Sequence, residues 1–176
     1  MANYVNNNNN ELRNVITLGV DQSFSHTGLV VSCKNGNILA AKGINTDTKN
    51  SIESRINLIK NVIVETIKEY NVKQVVIEGL SYASNQASGR QLGGLFYVIL
   101  CAFNELNISY TVVPPLTLKK AITDNGKATK DEMIKAISPQ ELQLLSTITK
   151  LKITSKKFED IADAYHLSRY LNICNK

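Results

Sequence analysis

Short apolar runs separated by turn residues open the sequence and predict strands. The first run covers residues 15–20 and is followed by Asp21. Two further runs cover residues 29–33 and 38–41, with an Asn-Gly pair at positions 35 and 36 between them. An Asn-Gly pair between apolar runs predicts a tight hairpin, because both residues tolerate a positive φ. We therefore expect three antiparallel strands at the start of the domain.

The middle of the sequence alternates between helical and strand patterns. Isoleucines recur every three or four residues from position 52 to position 67, which predicts an amphipathic helix over residues 51–70. The β-branched run at 75–77 precedes Glu78 and predicts a strand covered on both faces of the sheet. A second long helix is expected over residues 90–106, and another buried strand over residues 108–113.

The remainder of the sequence reads as helical. Consecutive prolines at positions 114 and 115 stop the preceding strand, because proline removes a backbone donor and restricts the residue before it. Loops are expected near residues 124–126 and 153–157, and a final helix over residues 157–171.

This order of elements predicts an α/β domain with a mixed five-stranded sheet, in which three antiparallel strands are followed by two parallel ones and flanked by helices. We expect residues 15–176 to form this one domain. Residues 1–14 contain five consecutive asparagines and no hydrophobic periodicity, so we expect them to form a disordered tail.

Composition excludes several classes of protein. The chain has 176 residues, of which 43% are hydrophobic and 20% charged, values that do not fit a disordered chain, a collagen-like fibre or a disulfide scaffold. No apolar run approaches the roughly 18 residues of a membrane span. The three cysteines form no CxxC or Cys/His pattern, and the polar N-terminus lacks an apolar signal core. We therefore expect reduced thiols and a cytoplasmic protein, with no membrane partner.

Positive charge is concentrated in one segment. Residues 115–157 contain nine lysines and four acidic residues, which accounts for the whole net charge of +5, while the rest of the chain is neutral. A basic segment on a neutral body is typical of proteins that bind a phosphate backbone. A solvated helix face rich in lysine would give the same charge pattern.

Four acidic residues lie where a carboxylate is costly unless it has a function. Asp21 and Glu78 each end an apolar strand, and Asp160 and Asp163 are three residues apart on one face of the final helix. Four clustered carboxylates would repel one another and raise their pKa values, which a divalent cation relieves. Oxygen ligands without His or Cys suit Mg²⁺ or Mn²⁺. Taken singly, each acid could instead cap a helix or form a salt bridge.

Four motifs occur in an order that resembles the RuvC family of Holliday junction resolvases, within the RNase H-like superfamily. They are GVDQSFSHTG at 19–28, VIE at 76–78, the pair Lys119-Lys120 followed by GKATK at 126–130, and DIADA at 160–164. The compact size and the Asn-rich tail are more similar to phage-type relatives, which would place the protein in a host cytoplasm.

The resemblance implies metal ligation and catalysis by the four carboxylates, with two Mg²⁺ ions per active site, or Mn²⁺ in their place. It also implies that Lys119 and Lys130 contact phosphate or support the transition state. The implied enzyme is a crossover junction endodeoxyribonuclease, a metal-dependent, structure-selective hydrolase of phosphodiester bonds in DNA recombination, repair or phage DNA processing. Two cations roughly 3.5–4 Å apart can activate water and stabilise both oxygens of the displacement.

Branched DNA and a second copy of the chain are the expected partners. The candidate DNA-binding residues are Tyr82, Arg90, Lys119, Lys120, Lys127 and Lys130, with Tyr82 placed to stack on a base. A four-way junction has approximate two-fold symmetry, so a homodimer would present two equivalent sites. The helix over residues 90–106 could form the dimer interface or could simply pack in the core.

Two departures from the family pattern concern junction selectivity. Ser81 occupies the position where the family often has an aromatic wedge, with Tyr82 one residue later. Gln22-Ser23 stands where Pro-Gly is common. His26 lies close to Asp21 in sequence and could act as a general base, although two-metal hydrolysis does not require one.

Alternative functions remain open at this point. An RNase H-like ribonuclease or a non-catalytic nucleic-acid-binding module would have the same fold. Half of a sugar-kinase or actin-like ATPase would resemble residues 21–28, but the chain is short for a duplicated body and lacks a Gly-rich adenosine motif.

Overall fold

The computed structural model describes residues 15–80 and 86–174, without the side chains of residues 86 and 87. The expected tail at residues 1–14 lies outside the described residues, and so do Ser81 and Tyr82. Within the described ranges, no helix combines the length and the apolar character needed to cross a membrane.

Strands and helices follow the predicted order. In chain order they are β1 (Ile16–Asp21), β2 (His26–Cys33), β3 (Ile38–Asn45), α1 (Ile52–Glu69), β4 (Gln74–Glu78), α2 (Gln86–Glu105), β5 (Ser109–Val113), α3 (Pro115–Thr123), α4 (Lys130–Lys135), α5 (Pro139–Thr149) and α6 (Lys156–Cys174).

The strands form one mixed sheet with the order β3-β2-β1-β4-β5. β2 pairs antiparallel with both β1 and β3, whereas β1–β4 and β4–β5 are parallel pairs. This arrangement confirms the predicted five-stranded sheet, with three antiparallel strands followed by two parallel ones. It places β1 in the centre, and the carboxyl ends of β1 and β4 lie side by side.

Local signals account for the turns and helix ends. Gly36 has a φ of +92° in the β2–β3 hairpin, a conformation that the Asn-Gly pair predicts. Ser51 caps α1, and its side chain accepts a hydrogen bond from the backbone N–H of Ser54 at 3.2 Å. β2 and β3 are longer than the apolar runs predict, because polar residues such as His26 and Thr27 also pair along the ladder.

The strand near residues 108–113 was predicted to be buried, and this prediction is wrong. β5 forms an edge of the sheet, and Val113 is its one fully buried residue. An edge strand has one hydrogen-bonded neighbour, here β4, so its side chains receive less cover than those of the central strands.

Alternating side chains build a core on each face of the sheet. On one face, Leu18, Val20, Val75 and Ile77 pack with residues of α1 and α2 such as Ile63. The opposite face carries two further clusters of buried residues, one containing Phe158 and Ile161 and the other containing Val76, Met133 and Leu167. Helix α6 is therefore covered by the sheet and by α3, α4 and α5.

Two strand glycines allow α6 to pack directly against the sheet. A Cβ atom at Gly19 would overlap the backbone of Ala164 and Ser168, and one at Gly28 would overlap the backbone of Asp160. The absence of a side chain at these positions therefore sets the distance between α6 and the strands β1 and β2. This distance also sets how close the acidic residues of α6 come to the end of β1.

We expect Gly19→Ala to destabilise the protein by about 3 kcal/mol or more, because the added methyl group collides with backbone that cannot rotate away. Gly93→Ala is the matched control, since nothing lies within 4 Å of a Cβ at that helical position. The control should stabilise the protein by roughly 0.5–1 kcal/mol. Urea unfolding of both variants measures the difference, and equal effects would contradict the packing argument.

Candidate active site

Strand geometry brings Asp21 and Glu78 together. In the parallel β1–β4 pair Val20 lies opposite Ile77, so the next residues along the two strands, Asp21 and Glu78, are neighbours at the carboxyl edge. Because side chains alternate, Asp21 points to the same face as Gly19, against which α6 packs. The two carboxyl groups are close enough to affect each other's pKa.

Helix α6 brings Asp160 and Asp163 to the carboxyl ends of β1 and β4. Asp163 is only 3% exposed, and its charge raises the pKa of both Asp21 and Glu78. Asp160 is half-buried, and its charge also raises the pKa of Asp21. The structure thus brings the four sequence-predicted carboxylates to one end of the sheet.

Lys130 enters the cluster from the first turn of α4. A capping box starts this helix: the Thr129 side chain accepts from the Glu132 backbone N–H, and the Glu132 carboxylate accepts from the Thr129 backbone N–H. The His166 ring, through Nε2, bonds the Met133 carbonyl oxygen at 2.8 Å and so ties α4 to α6. These contacts hold Lys130 beside Asp163, with which it forms an ion pair.

The charges of the acids decide the protonation of Lys130. Burial alone would lower the pKa of this lysine, but Asp163, Asp21 and Glu78 outweigh it and raise the pKa above the ordinary value. Lys130 is therefore a permanent positive charge within the cluster.

Burial and mutual repulsion raise the pKa values of the two strand acids. For Asp21, burial is the largest cause, followed by the charges of Glu78, Asp163 and Asp160, and the pKa lies well above its usual range. Burial and the charge of Asp163 raise the pKa of Glu78 to about 7, against the opposing effects of Lys130, the Asp21 side chain and Lys119. The single ammonium group of Lys130 thus leaves the cluster short of positive charge.

Three residues around the cluster were not predicted to have a structural role there. Gln22 donates from Nε2 to the backbone oxygen of Glu78 at 2.9 Å and so ties the end of β1 to the end of β4. His26 bonds through Nδ1 to Asp160 at 2.8 Å, and His166 braces α4 as described above. The one sequence signal for His166 is its spacing of three residues from Asp163, which places both on one helix face.

The remaining predicted DNA-binding residues lie around the cluster with different degrees of exposure. Lys119 on α3 is half-buried and close enough to Glu78 to lower its pKa. Lys120, Lys127 and Arg90 are exposed, and none of them forms an ion pair with another described residue. Tyr82 belongs to the residues outside the described ranges.

The donor set fits a hard divalent cation in its chemistry. It consists of carboxylate oxygens whose negative charge is only partly balanced by nearby positive groups. This combination suits Mg²⁺ or Mn²⁺. No group of three or more His, Cys, Asp or Glu side chains within residues 15–80 and 86–174 is converged into a ready-made metal cage. In this arrangement Lys130 engages Asp163 and His26 engages Asp160.

A separate cavity of about 530 Å³ lies away from this cluster. It is lined by residues of the β2–β3 turn, α3 and α6, among them Lys34 and Arg169, and by none of the four carboxylates. The carboxylates lie instead at the carboxyl ends of β1 and β4, where Asp21 and Asp163 are buried and Glu78 and Asp160 are partly exposed.

Comparison with known proteins identifies relatives of this chain. The family model described as "Crossover junction endodeoxyribonuclease RuvC" matches residues 17–168. RuvC from Rickettsia conorii is 29% identical over 154 residues, covering 86% of this chain and 95% of the relative. RuvC from Brachyspira hyodysenteriae is 30% identical over 127 residues, covering 70% of this chain and 79% of the relative.

Solved structures show the same fold. Thermus thermophilus RuvC in complex with a Holliday junction substrate superposes with a TM-score of 0.70 at 17% identity, covering 92% of this chain and 94% of that one. Fowlpox virus resolvase in complex with Holliday junction DNA gives a TM-score of 0.54 at 18% identity, covering 92% and 99%. These likenesses support the RNase H-like fold predicted from the sequence.

We expect the metal-free protein to lose stability between pH 5 and pH 8, and Glu78→Gln to reduce that loss. The pKa of Glu78 is raised to about 7 in the folded state, above its usual value of 4.5. The folded protein therefore keeps this proton up to a higher pH than the unfolded chain does. Stability is then present at low pH and falls as the pH rises through 7. Glutamine mimics the protonated acid, so the variant should be more stable at pH 8 by about 2–3 kcal/mol.

Urea unfolding in EDTA at several pH values measures this effect as the difference between wild type and variant. The pKa of His166 is lowered by burial, which raises stability with pH, but this contribution is common to both proteins and cancels. Parallel stability curves for the two proteins would contradict the raised pKa of Glu78.

Proposed function

Because the chain belongs to the RuvC family of crossover junction endodeoxyribonucleases, we propose that it hydrolyses phosphodiester bonds in four-way DNA junctions and related branched DNA. Nucleases of this family are metal-dependent and act in DNA recombination and repair. The observation that carries the proposal is the proximity of the four carboxylates and Lys130 at the carboxyl ends of β1 and β4, in a chain that matches the family from residue 17 to residue 168.

We assign metal binding to the four carboxylates. Asp21 is the best placed to contact two cations, because it lies at the centre of the cluster and feels the charges of Glu78, Asp163 and Asp160. Glu78 would complete one coordination site and the two aspartates of α6 the other. Divalent cations held there, Mg²⁺ or Mn²⁺, would supply an activated water and would stabilise charge on the phosphate oxygens. Two such cations per site would relieve the repulsion that raises the pKa of Asp21 and Glu78.

Lys130 and Lys119 are proposed to act on the phosphate. Lys130 keeps its positive charge in the presence of three acids, so it can neutralise charge that develops on the scissile phosphate. Lys119 is close enough to Glu78 to lower its pKa, which supports a role in contacting the same DNA strand. Both roles require the ammonium groups to face DNA once the acids are neutralised by cations.

Exposed basic residues define a proposed path for the DNA backbone. Lys120 and Lys127 lie between Lys119 and Lys130 in sequence and are solvent-exposed, and Arg90 is exposed in the first turns of α2. Such residues bind phosphates without reading sequence. Stacking of Tyr82 on a base remains a prediction from the sequence.

We propose that a homodimer acts on the two-fold symmetric junction. One face of α2 packs in the core of the single chain, with Leu95, Ile99 and Phe103 among its residues. The face of α2 that remains exposed contains Gly94, Tyr97 and Cys101, and Tyr97 is 63% exposed. Their spacing of three and four residues places them on one helix stripe that a second copy could cover.

A panel of synthetic substrates tests the proposed activity. Wild-type protein should cut a four-way junction in Mg²⁺ or Mn²⁺ but not in EDTA, with weaker cutting of linear duplex. Asp21→Asn and Asp163→Asn should reduce the cleavage rate by at least about a thousandfold, because each removes a proposed metal ligand. Junction binding by both variants, measured by gel shift, should persist because it depends mainly on lysine–phosphate contacts.

Other outcomes of the same panel would point elsewhere. Cleavage confined to an RNA/DNA hybrid would indicate a ribonuclease, and binding without any cleavage would indicate a non-catalytic module. Normal cutting by both aspartate variants would overturn the assignment of the metal ligands.

The proposed DNA path predicts a specific change in salt dependence. The double variant Lys120→Ala with Lys127→Ala should lower the slope of log binding constant against log salt concentration by about 1.8, since each phosphate contact contributes about 0.9. Fluorescence anisotropy with a labelled junction at several salt concentrations measures this slope.

A matched control removes two lysines from the opposite end of the sheet. Lys68 lies in the last turn of α1. Lys73 directly precedes β4, at the end of the strand opposite Glu78. Lys68→Ala with Lys73→Ala should leave the slope unchanged. Equal losses in the two double variants would show that net charge alone governs binding.

A further inference from the structure

We propose that His26 is a positioning residue that holds the carboxylate of Asp160 in place as a metal ligand. The proposal rests on the proposed function, because it takes Asp160 to be one of the residues that hold a cation. His26 itself would contact neither the cation nor the DNA.

The contact between the two residues has a defined direction. His26 Nδ1 lies 2.8 Å from Oδ2 of Asp160, although the residues are 134 positions apart in sequence. A carboxylate can only accept, so Nδ1 carries the hydrogen and donates, which assigns the tautomer of the ring. The bond occupies one carboxylate oxygen of Asp160 and leaves the other available as a ligand.

The surroundings of His26 keep its ring in one place. The side chain of His26 is 4% exposed, compared with 26% for Asp160. Its backbone is held by Ser23, whose Oγ accepts from the His26 N–H at 3.1 Å and donates to the His26 carbonyl at 2.8 Å. The ring fills the space above Gly43, where a Cβ atom would come within 3.0 Å of Cε1 and still closer to Nε2.

The polar contacts of the ring favour a positioning role over packing. Nε2 is buried and makes no hydrogen bond with any described residue, so the bond to Asp160 is the one polar contact found for the ring. A buried nitrogen without a partner is unfavourable, and an apolar side chain would fill the same space without that cost. The interaction that favours histidine at this position is therefore the bond to Asp160.

The pair complements the ion pair on the same helix. Lys130 holds Asp163, while Asp160 is the more exposed of the two aspartates of α6 and is held from β2. Residues that orient a metal ligand through a hydrogen bond typically change metal affinity by 10- to 100-fold when they are replaced. Without His26, the Asp160 side chain would have to be ordered when the cation binds.

Two substitutions of His26 separate the hydrogen bond from the volume of the ring. His26→Asn keeps an N–H donor at the position of Nδ1, and His26→Leu fills the site without a donor. We expect the Leu variant to bind Mn²⁺ about tenfold more weakly than wild type, and the Asn variant to stay within about twofold. Mn²⁺ is titrated into the full-length protein without DNA, and free Mn²⁺ is read by electron paramagnetic resonance.

Gly43→Ala provides a third variant that retains both residues of the pair. The added methyl group should displace the ring in the wild-type background and weaken Mn²⁺ binding, as His26→Leu does. It should have little effect in the His26→Asn background, where the shorter side chain leaves room. Thermal unfolding of each variant checks that the protein remains folded.

The outcomes distinguish this inference from the proposed function. Wild-type affinity in the Leu variant, or equal losses in the Leu and Asn variants, would overturn the positioning role. If wild type binds Mn²⁺ but cuts no branched DNA, the proposed function fails while the comparison of affinities still decides the role of His26. If wild type binds no Mn²⁺ at all, both proposals are wrong.

Discussion

The interaction on which the candidate site depends is the repulsion among carboxylates that cluster at the carboxyl ends of β1 and β4. Asp21, Glu78 and Asp163 are close enough for burial and mutual charge to raise the pKa of both strand acids. A cluster of this kind lowers the stability of the fold, so its presence indicates a function that needs it. Lys130 offsets part of the repulsion, and the remaining deficit is what a divalent cation would supply.

The fold brings the members of this cluster together from separate parts of the chain. Parallel pairing places the ends of β1 and β4 side by side, and Gly19 and Gly28 let α6 approach close enough to add its own acids. The capped start of α4 directs Lys130 into the same cluster. Each functional side chain is thus held by a strand end or by a helix anchored to the sheet, which gives the site rigidity before any ligand binds.

Sequence patterns predicted the order of strands and helices because hydrophobic periodicity and turn residues are local signals. The strand β5 was predicted correctly, but its predicted burial was wrong, because β5 lies at the sheet edge and remains partly exposed. For α2 the sequence left a dimer interface and a position in the core open, and Leu95, Ile99 and Phe103 belong to the core. In both cases the pattern shows that a residue is apolar but not which surface covers it.

The sequence by itself determined which residue types could form the site, because acids at strand ends and on one helix face can be recognised from spacing alone. Tertiary structure decided their partners: Gln22 on the backbone of Glu78, Lys130 on Asp163, and His26 on Asp160. These contacts join residues from 33 to 134 positions apart in the chain. Such pairs depend on how the sheet and α6 pack, and the periodicity of a single element carries no information about that packing.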